Sequence, residues 1–259
     1  MSEEKKVLCE IRGQVALLSL NKPRQRNALC IQLLAELKQS FRILAASDEV
    51  RVIVLAGKGK SFCSGADLSN TQESVSAERG IEDHYKPAYM EIVNIKKPVI
   101  ACVHGGAAGG GMALAMCCDL MAMSEGAYLK AAFSDIALVP DCGVSWMLPR
   151  AVGYQKAYEI AIEAQRISAS DCLELGLANR VVSEAELLES SLEWAEKLAR
   201  RPSLAMGYTK KLMRGSYAES FSDTFSAEGL VQDLCMGSKD FREGALAFFE
   251  KRRPEFGGK

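Results

Sequence analysis

Apolar positions in this chain follow two spacings. Val7–Ile11 and Val15–Leu20 alternate apolar and polar residues around Gly13, which predicts a hairpin. From Leu29 to Leu44 the apolar residues Leu29, Leu33, Leu34, Leu37, Phe41 and Leu44 recur at helical spacing, with Asn27 placed as a cap. Val50–Ala56, interrupted only at Arg51, and Pro98–Val103 are short apolar runs, the pattern of buried strands. Leu120–Ser124, Ala127–Ala132 and Val181-Val182 predict further strands, and Ser69–Lys86 a polar surface segment. Helices are predicted at Tyr89–Ile95, onward from Val144, at Tyr154–Ala164, and between a Ser168 cap and Gly176. From Ser183 onward the period is helical: Glu186–Arg200, Leu204–Met213, Phe221–Met236 and Phe241–Lys251. The pattern predicts an α/β core over residues 1–200 and a helical region over 201–259.

Each buried run leads into a turn of small residues. Val50–Ala56 is followed by Gly57-Lys58-Gly59-Lys60 and then Ser61–Leu68, SFCSGADL. Pro98–Val103 is followed by His104–Asp119, HGGAAGGGMALAMCCD, which holds Gly105, Gly106, Gly109, Gly110 and Gly111 before a run of helix formers. A strand–turn–helix junction of this kind leaves backbone N–H groups unpaired, and glycine removes the Cβ that would keep a ligand away. Two readings follow from the residues: a tight helix–strand contact, or an anion hole. The succession reads as a repeated strand–strand–helix unit.

Composition narrows the class. Apolar residues make up 48% and charged residues 25% of the 259, with a net charge of −1, so nothing points to nucleic acid or an acidic membrane surface. The polar start MSEEKKVLCE has no signal-peptide core, and no apolar run approaches a membrane span. Nine cysteines without a secretion signal suggest a reducing compartment, and a cytoplasmic location is expected. With two histidines in the chain and Cys117-Cys118 adjacent, no metal site is expected.

Ser61–Leu68, His104–Asp119 and Val139–Gly153 (VPDCGVSWMLPRAVG), in this order, closely resemble the crotonase family of enoyl-CoA hydratases and isomerases. The opening NKPRQRNAL and the ending FREGALAFFEKRRPEF fit the same family. The resemblance implies a ClpP-like spiral of ββα units with a helical C-terminal trimerisation region, assembled as a homotrimer or dimer of trimers. It implies an acyl-CoA thioester substrate, with CoA part of the substrate and no separate cofactor. By motif match, the backbone amides of Ala66 and Gly110 form an oxyanion hole for the enolate made when a proton leaves the carbon beside the thioester. Arg24 is expected at the CoA phosphates, near Lys22 and Arg26. Ser64, Gly65, Asp67, Leu68 and Gly109 are expected along the nucleotide and pantetheine, and Lys251 at a neighbouring subunit's nucleotide.

Two departures decide the expected reaction. Hydratases of this family hold water with two glutamates. The matching positions here are Ala113 and Phe133, neither of which transfers a proton. Asp141, directly after Pro140, resembles the acid of the double-bond-shifting branch, including isomerases of the phenylacetate-pathway type. The expected function is enoyl-CoA isomerisation, with Asp141 taking a proton from C2 of a 3-enoyl-CoA and returning it at C4. Met112, Ala113, Phe133, Leu138, Val144 and Trp146 are expected to wall the acyl pocket against water. The alternatives are a hydratase, another acyl-CoA lyase, a hydrolase, an aryl-CoA dehalogenase with an aspartate nucleophile, or a non-catalytic acyl-CoA-binding protein. His104 is read as a structural hydrogen-bonding residue, and Cys63 and Cys142 as space-filling.

Overall fold

The computed structural model describes residues 5–70 and 76–258, so part of the predicted Ser69–Lys86 segment, residues 71–75, lies outside the described residues. Strands β1 (Val7–Arg12) and β2 (Val15–Leu20) form the predicted hairpin, turning through Gly13 at φ +56°. β2 then pairs in parallel with β3 (Val52–Gly57), which pairs with β4 (Val99–Val103), followed by β6 (Leu120–Ser124) and β9 (Arg180–Val182). All five residues of β4 are buried, as a central parallel strand requires.

The two faces of this six-stranded sheet are covered by different helices. Ala16, Leu18 and Leu20 of β2 share a core with Leu33, Leu37 and Phe41 of α1 (Ile31–Ala46). The alternate residues Val15 and Leu17 pack with Leu187, Leu192, Ala195 and Ala199 of α8 (Leu187–Ala199). The two-residue period of the strands therefore sorts side chains between two helical layers.

A second sheet of three short strands lies alongside, with β7 (Tyr128–Lys130) between β5 (Gly106–Ala108) and β8 (Arg166–Ser168). The chain leaves β4, bends at Gly105 and enters β5 before starting α4 (Gly110–Cys117). β6 likewise leads to β7, and Cys63 after β3 makes a parallel bridge to Ala107. The repeated strand–strand–helix unit is thus present three times, once reduced to a single bridge. β5 and β8 have no signature in the sequence.

Asn27 is not the cap of α1. The helix starts at Ile31 with Cys30 before it and no side-chain cap. Asn27 is fully buried with φ +56°, and its amide donates to the carbonyls of Lys58, Ser61 and Phe62 while accepting from the Lys22 N–H. It ties the first loop to the turn after β3.

α2 (Ala77–Gly80) runs through a π-helical turn, Ile81–Tyr85, into α3 (Lys86–Asn94). After Val144 come α5 (Val144–Val152), α6 (Tyr154–Glu163) and α7 (Ala169–Glu174), the last capped by Ser168 as expected. Beyond residue 200 lie α9 (Ser203–Gly215), α10 (Phe221–Met236) and α11 (Lys239–Glu250). Asp119, just before β6, accepts from Lys210 (2.8 Å) and Arg214 (2.9 Å) of α9, fastening that helix to the sheet. Among the described residues, no helix is long and apolar enough to cross a membrane.

Candidate active site

The turn after β3 and the turn before α4 meet face to face. Leu29 N–H donates to Gly65 O and Asp67 N–H to Leu29 O, a pairing that directs the Ala66 N–H away from Leu29. Gly110 is the first residue of α4, where an N–H has no carbonyl within its own helix. Among the described residues neither N–H has an acceptor. A β-carbon on Gly65 would lie 3.4 Å from Gly110 N, so the two free amides belong to one locus.

Glycine here is dictated by space and by backbone. A β-carbon on Gly111 would stand 2.3 Å from Cys63 O, and Gly109 has φ +51° with ψ −123°. Tyr89 of α3 donates its hydroxyl to Gly110 O at 2.7 Å, bracing the first turn of α4.

Asp141 and Cys142 occupy the turn ahead of α5. Cys142 and Gly143 have successive positive φ, +51° and +90°, and Ser145 Oγ donates to Pro140 O at 2.9 Å. Asp141 is half-buried, and burial raises its carboxyl above the usual carboxylate range, against the hydrogen bond from the Cys142 side chain. Its charge is felt at Tyr85, whose hydroxyl is raised first by burial and then by Cys142 and Asp141. The Tyr85 ring in turn lies 3.8 Å from where a Gly110 β-carbon would be. Asp141 and Gly110 thus have Tyr85 as a common neighbour.

A cavity of about 430 Å³ opens beside it, walled by Tyr89, Met90, Val93, Cys142, Trp146 and Met147, with Cys117 and Arg214 also lining it. Of the six residues expected to wall the acyl group, Trp146 lines this cavity. Met112, Ala113, Phe133 and Val144 are buried in the main core, and Leu138 is exposed. Trp146 is held by Arg150 stacked on its ring at 4.1 Å and by the edge of Tyr217 at 5.5 Å.

On the other side of the two turns, the first loop is laced to Ser61–Leu68. Ser64 N–H donates to Arg26 O and its hydroxyl to Gln25 O. Lys22 pairs with Asp67 at 2.8 Å, which holds the Asp67 carboxyl down at about 2. Lys22 and Asp67 are thus committed to each other, whereas Arg24 and Arg26 are exposed at the rim. Leu68 is exposed on the same rim. Lys251 sits exposed at the end of α11 in a left-handed conformation, and no hydrogen bond or ion pair joins it to the two turns among the described residues.

His104 Nε2 bonds Gly59 O at 2.9 Å, the structural role expected of it. Cys63 is buried, its thiol pushed up to about 12 by burial and turned onto Asn27 O, so it is packing material. Tyr89 and Arg214 carry no motif in the sequence; each reaches the site through tertiary packing alone.

The enoyl-CoA hydratase/isomerase family profile matches residues 10–259. The chain is 31% identical over 98% of its length, and 98% of the relative's, to 1,2-epoxyphenylacetyl-CoA isomerase of Escherichia coli. It is 32% identical to the mitochondrial enoyl-CoA hydratase of Pongo abelii, covering 96% of this chain and 87% of that one. A crystal structure of enoyl-CoA hydratase from Bacillus anthracis superposes with a TM-score of 0.91 at 30% identity, covering 98% of this chain and 100% of that chain. In fold and in sequence over nearly its whole length, the chain belongs to the enoyl-CoA hydratase/isomerase (crotonase) family.

Proposed function

We propose that the protein is an enoyl-CoA isomerase that moves the double bond of a 3-enoyl-CoA to the 2-position. The observation that carries this reading is Asp141: it is half-buried in the turn ahead of α5, beside the cavity, with its carboxyl raised by burial, and it shares Tyr85 as a neighbour with Gly110. As carboxylate it removes a C2 proton. The negative charge that develops on the thioester oxygen is met by Ala66 N–H and Gly110 N–H, donors already aimed and costing no reorganisation. The same side chain then delivers the proton to C4.

Hydration needs a second acid–base group to hold and activate water. The positions that would carry it are the buried Ala113 and Phe133, which supports proton return over water addition. The loop bearing Arg24 and Arg26, with Ser64, Gly65, Asp67, Leu68 and Gly109, is read as the path of the CoA moiety. The exposed Phe221, Phe225, Phe248 and Phe249 fit a homotrimer or dimer of trimers, in which Lys251 serves a neighbour's nucleotide.

Asp141→Asn keeps shape and removes the base. Deuterium exchange at C2 and C4 of 3-enoyl-CoA substrates, followed by mass spectrometry, should fall by about three orders of magnitude or more. Undiminished exchange would reject Asp141 as the proton carrier. Brisk hydration of crotonyl-CoA by the unaltered protein would reject the isomerase reading itself.

A further inference from the structure

The 430 Å³ cavity is apolar along most of its wall but is lined by two cations, Arg214 and Lys86. Arg214 comes from α9, 95 residues beyond Asp119 in sequence. Its Nη2 donates to Cys117 O (2.7 Å) and Asp119 Oδ1 (2.9 Å), leaving Nε and Nη1 without an acceptor among the described residues. Asp119 also serves Lys210, so one carboxylate faces two cations and the cluster carries an excess positive charge. Burial lowers the Lys210 pKa, with Asp119 opposing. The other cation at the cavity, Lys86, is exposed and donates twice to Glu82. Among the described residues no acidic side chain lines the cavity.

A guanidinium that shares its one carboxylate with a second cation, and has Nε and Nη1 unpartnered beside an apolar space, favours a ligand whose far end is anionic. We infer that the cavity takes acyl groups ending in a carboxylate, that is, thioesters of dicarboxylic acids, with Arg214 as the residue that selects them. Met90, Val93, Trp146 and Met147 hold the methylene chain, and Arg214 receives the terminal carboxylate in place of water. This rests on reading the cavity beside Tyr89 and Cys142 as the acyl site, and does not depend on which residue moves protons.

The test is equilibrium binding of saturated CoA thioesters, which undergo no double-bond shift. Calorimetry compares ω-carboxyacyl-CoA with the methyl-terminated thioester of equal chain length, over a series of lengths. The unaltered protein should bind the carboxylate form about tenfold more tightly at the best length. Arg214→Met should erase that preference, and Arg214→Lys, which keeps a charge beside Asp119, should retain part of it. The comparison on the unaltered protein decides even if Arg214→Met unfolds. Equal affinities, or a preference for the methyl end, overturn the inference and leave the Asp141 mechanism standing. No binding of either thioester overturns the inference together with the acyl-site reading. Loss of isomerisation in Asp141→Asn with the carboxylate preference intact supports both.

Discussion

The Tyr89 hydroxyl stands 2.7 Å from Gly110 O, so a side chain of α3 fixes the peptide that begins α4. Gly110 supplies one of the two unpaired amides, and small tilts of that turn change where its N–H points. Tyr89→Phe keeps the ring in the cavity wall and deletes the bond. We expect a loss of about 1 kcal/mol in unfolding free energy. In steady-state kinetics kcat should fall about tenfold with KM nearly unchanged, because the donor is felt most when charge sits on the thioester oxygen. Equal kcat in the two proteins would remove Tyr89 from that role.

Adjacent glycines should respond very differently to a methyl group. On Gly111 it would stand 2.3 Å from Cys63 O, a backbone atom that cannot yield without separating the two turns. On Gly110 the nearest atom is Leu29 Cδ1 at 3.1 Å, the end of a flexible side chain. Gly111→Ala should cost about 3 kcal/mol or prevent folding, while Gly110→Ala should cost about 1 kcal/mol or less. Chemical denaturation of the two variants checks the order.

The raised Asp141 carboxyl has opposite consequences for activity and stability. In the proposed mechanism its ionised form is the base, so kcat/KM should fall as pH drops through a value above the usual carboxylate range, and Asp141→Asn should abolish that limb. Folding holds the proton more tightly than the unfolded chain does, so Asp141 costs stability as pH rises from its unfolded pKa through its folded one. Asp141→Asn should therefore unfold at an equal or higher temperature near neutral pH. A clear drop in Tm would contradict this.

Asp67 shows the reverse sign. Its pKa of about 2 in the folded chain lies below the ordinary value near 3.8, so its contribution is present above the latter and is lost as pH falls toward the former. Asp67→Asn leaves the Lys22 ammonium, whose side chain is 9% exposed, without its partner. We expect about 1–2 kcal/mol of destabilisation at neutral pH, shrinking as acid protonates Asp67 in the reference protein. Urea titrations across that range measure it.

The main sheet was legible because its strands are buried on both faces and read as unbroken apolar runs, Val52–Gly57 and Val99–Val103 among them. The glycine turns were legible because backbones approach closely at Gly65, Gly105 and Gly111, and Gly109 adopts a positive φ. What was not legible depends on neighbours far along the chain. Gly106–Ala108 has no strand propensity and becomes a strand by pairing with Tyr128–Lys130. Asn27 was misread because a cap and a buried amide tie use the same side chain, and only the positions of Lys58, Ser61 and Phe62 separate the two. Arg214 lies on a helix whose periodicity reveals an amphipathic surface but not the cavity on the other side of it.

The two free N–H groups belong to the peptide skeleton and are therefore hidden from most genetic change. Short of a proline, a replacement at Ala66 or Gly110 alters bulk and leaves the donor in place. Descendants of this chain can consequently trade Asp141, Ala113 or Phe133 for other chemistry while the pair of amides proposed to steady negative charge is inherited intact. New reactions on this scaffold would start from a platform already built.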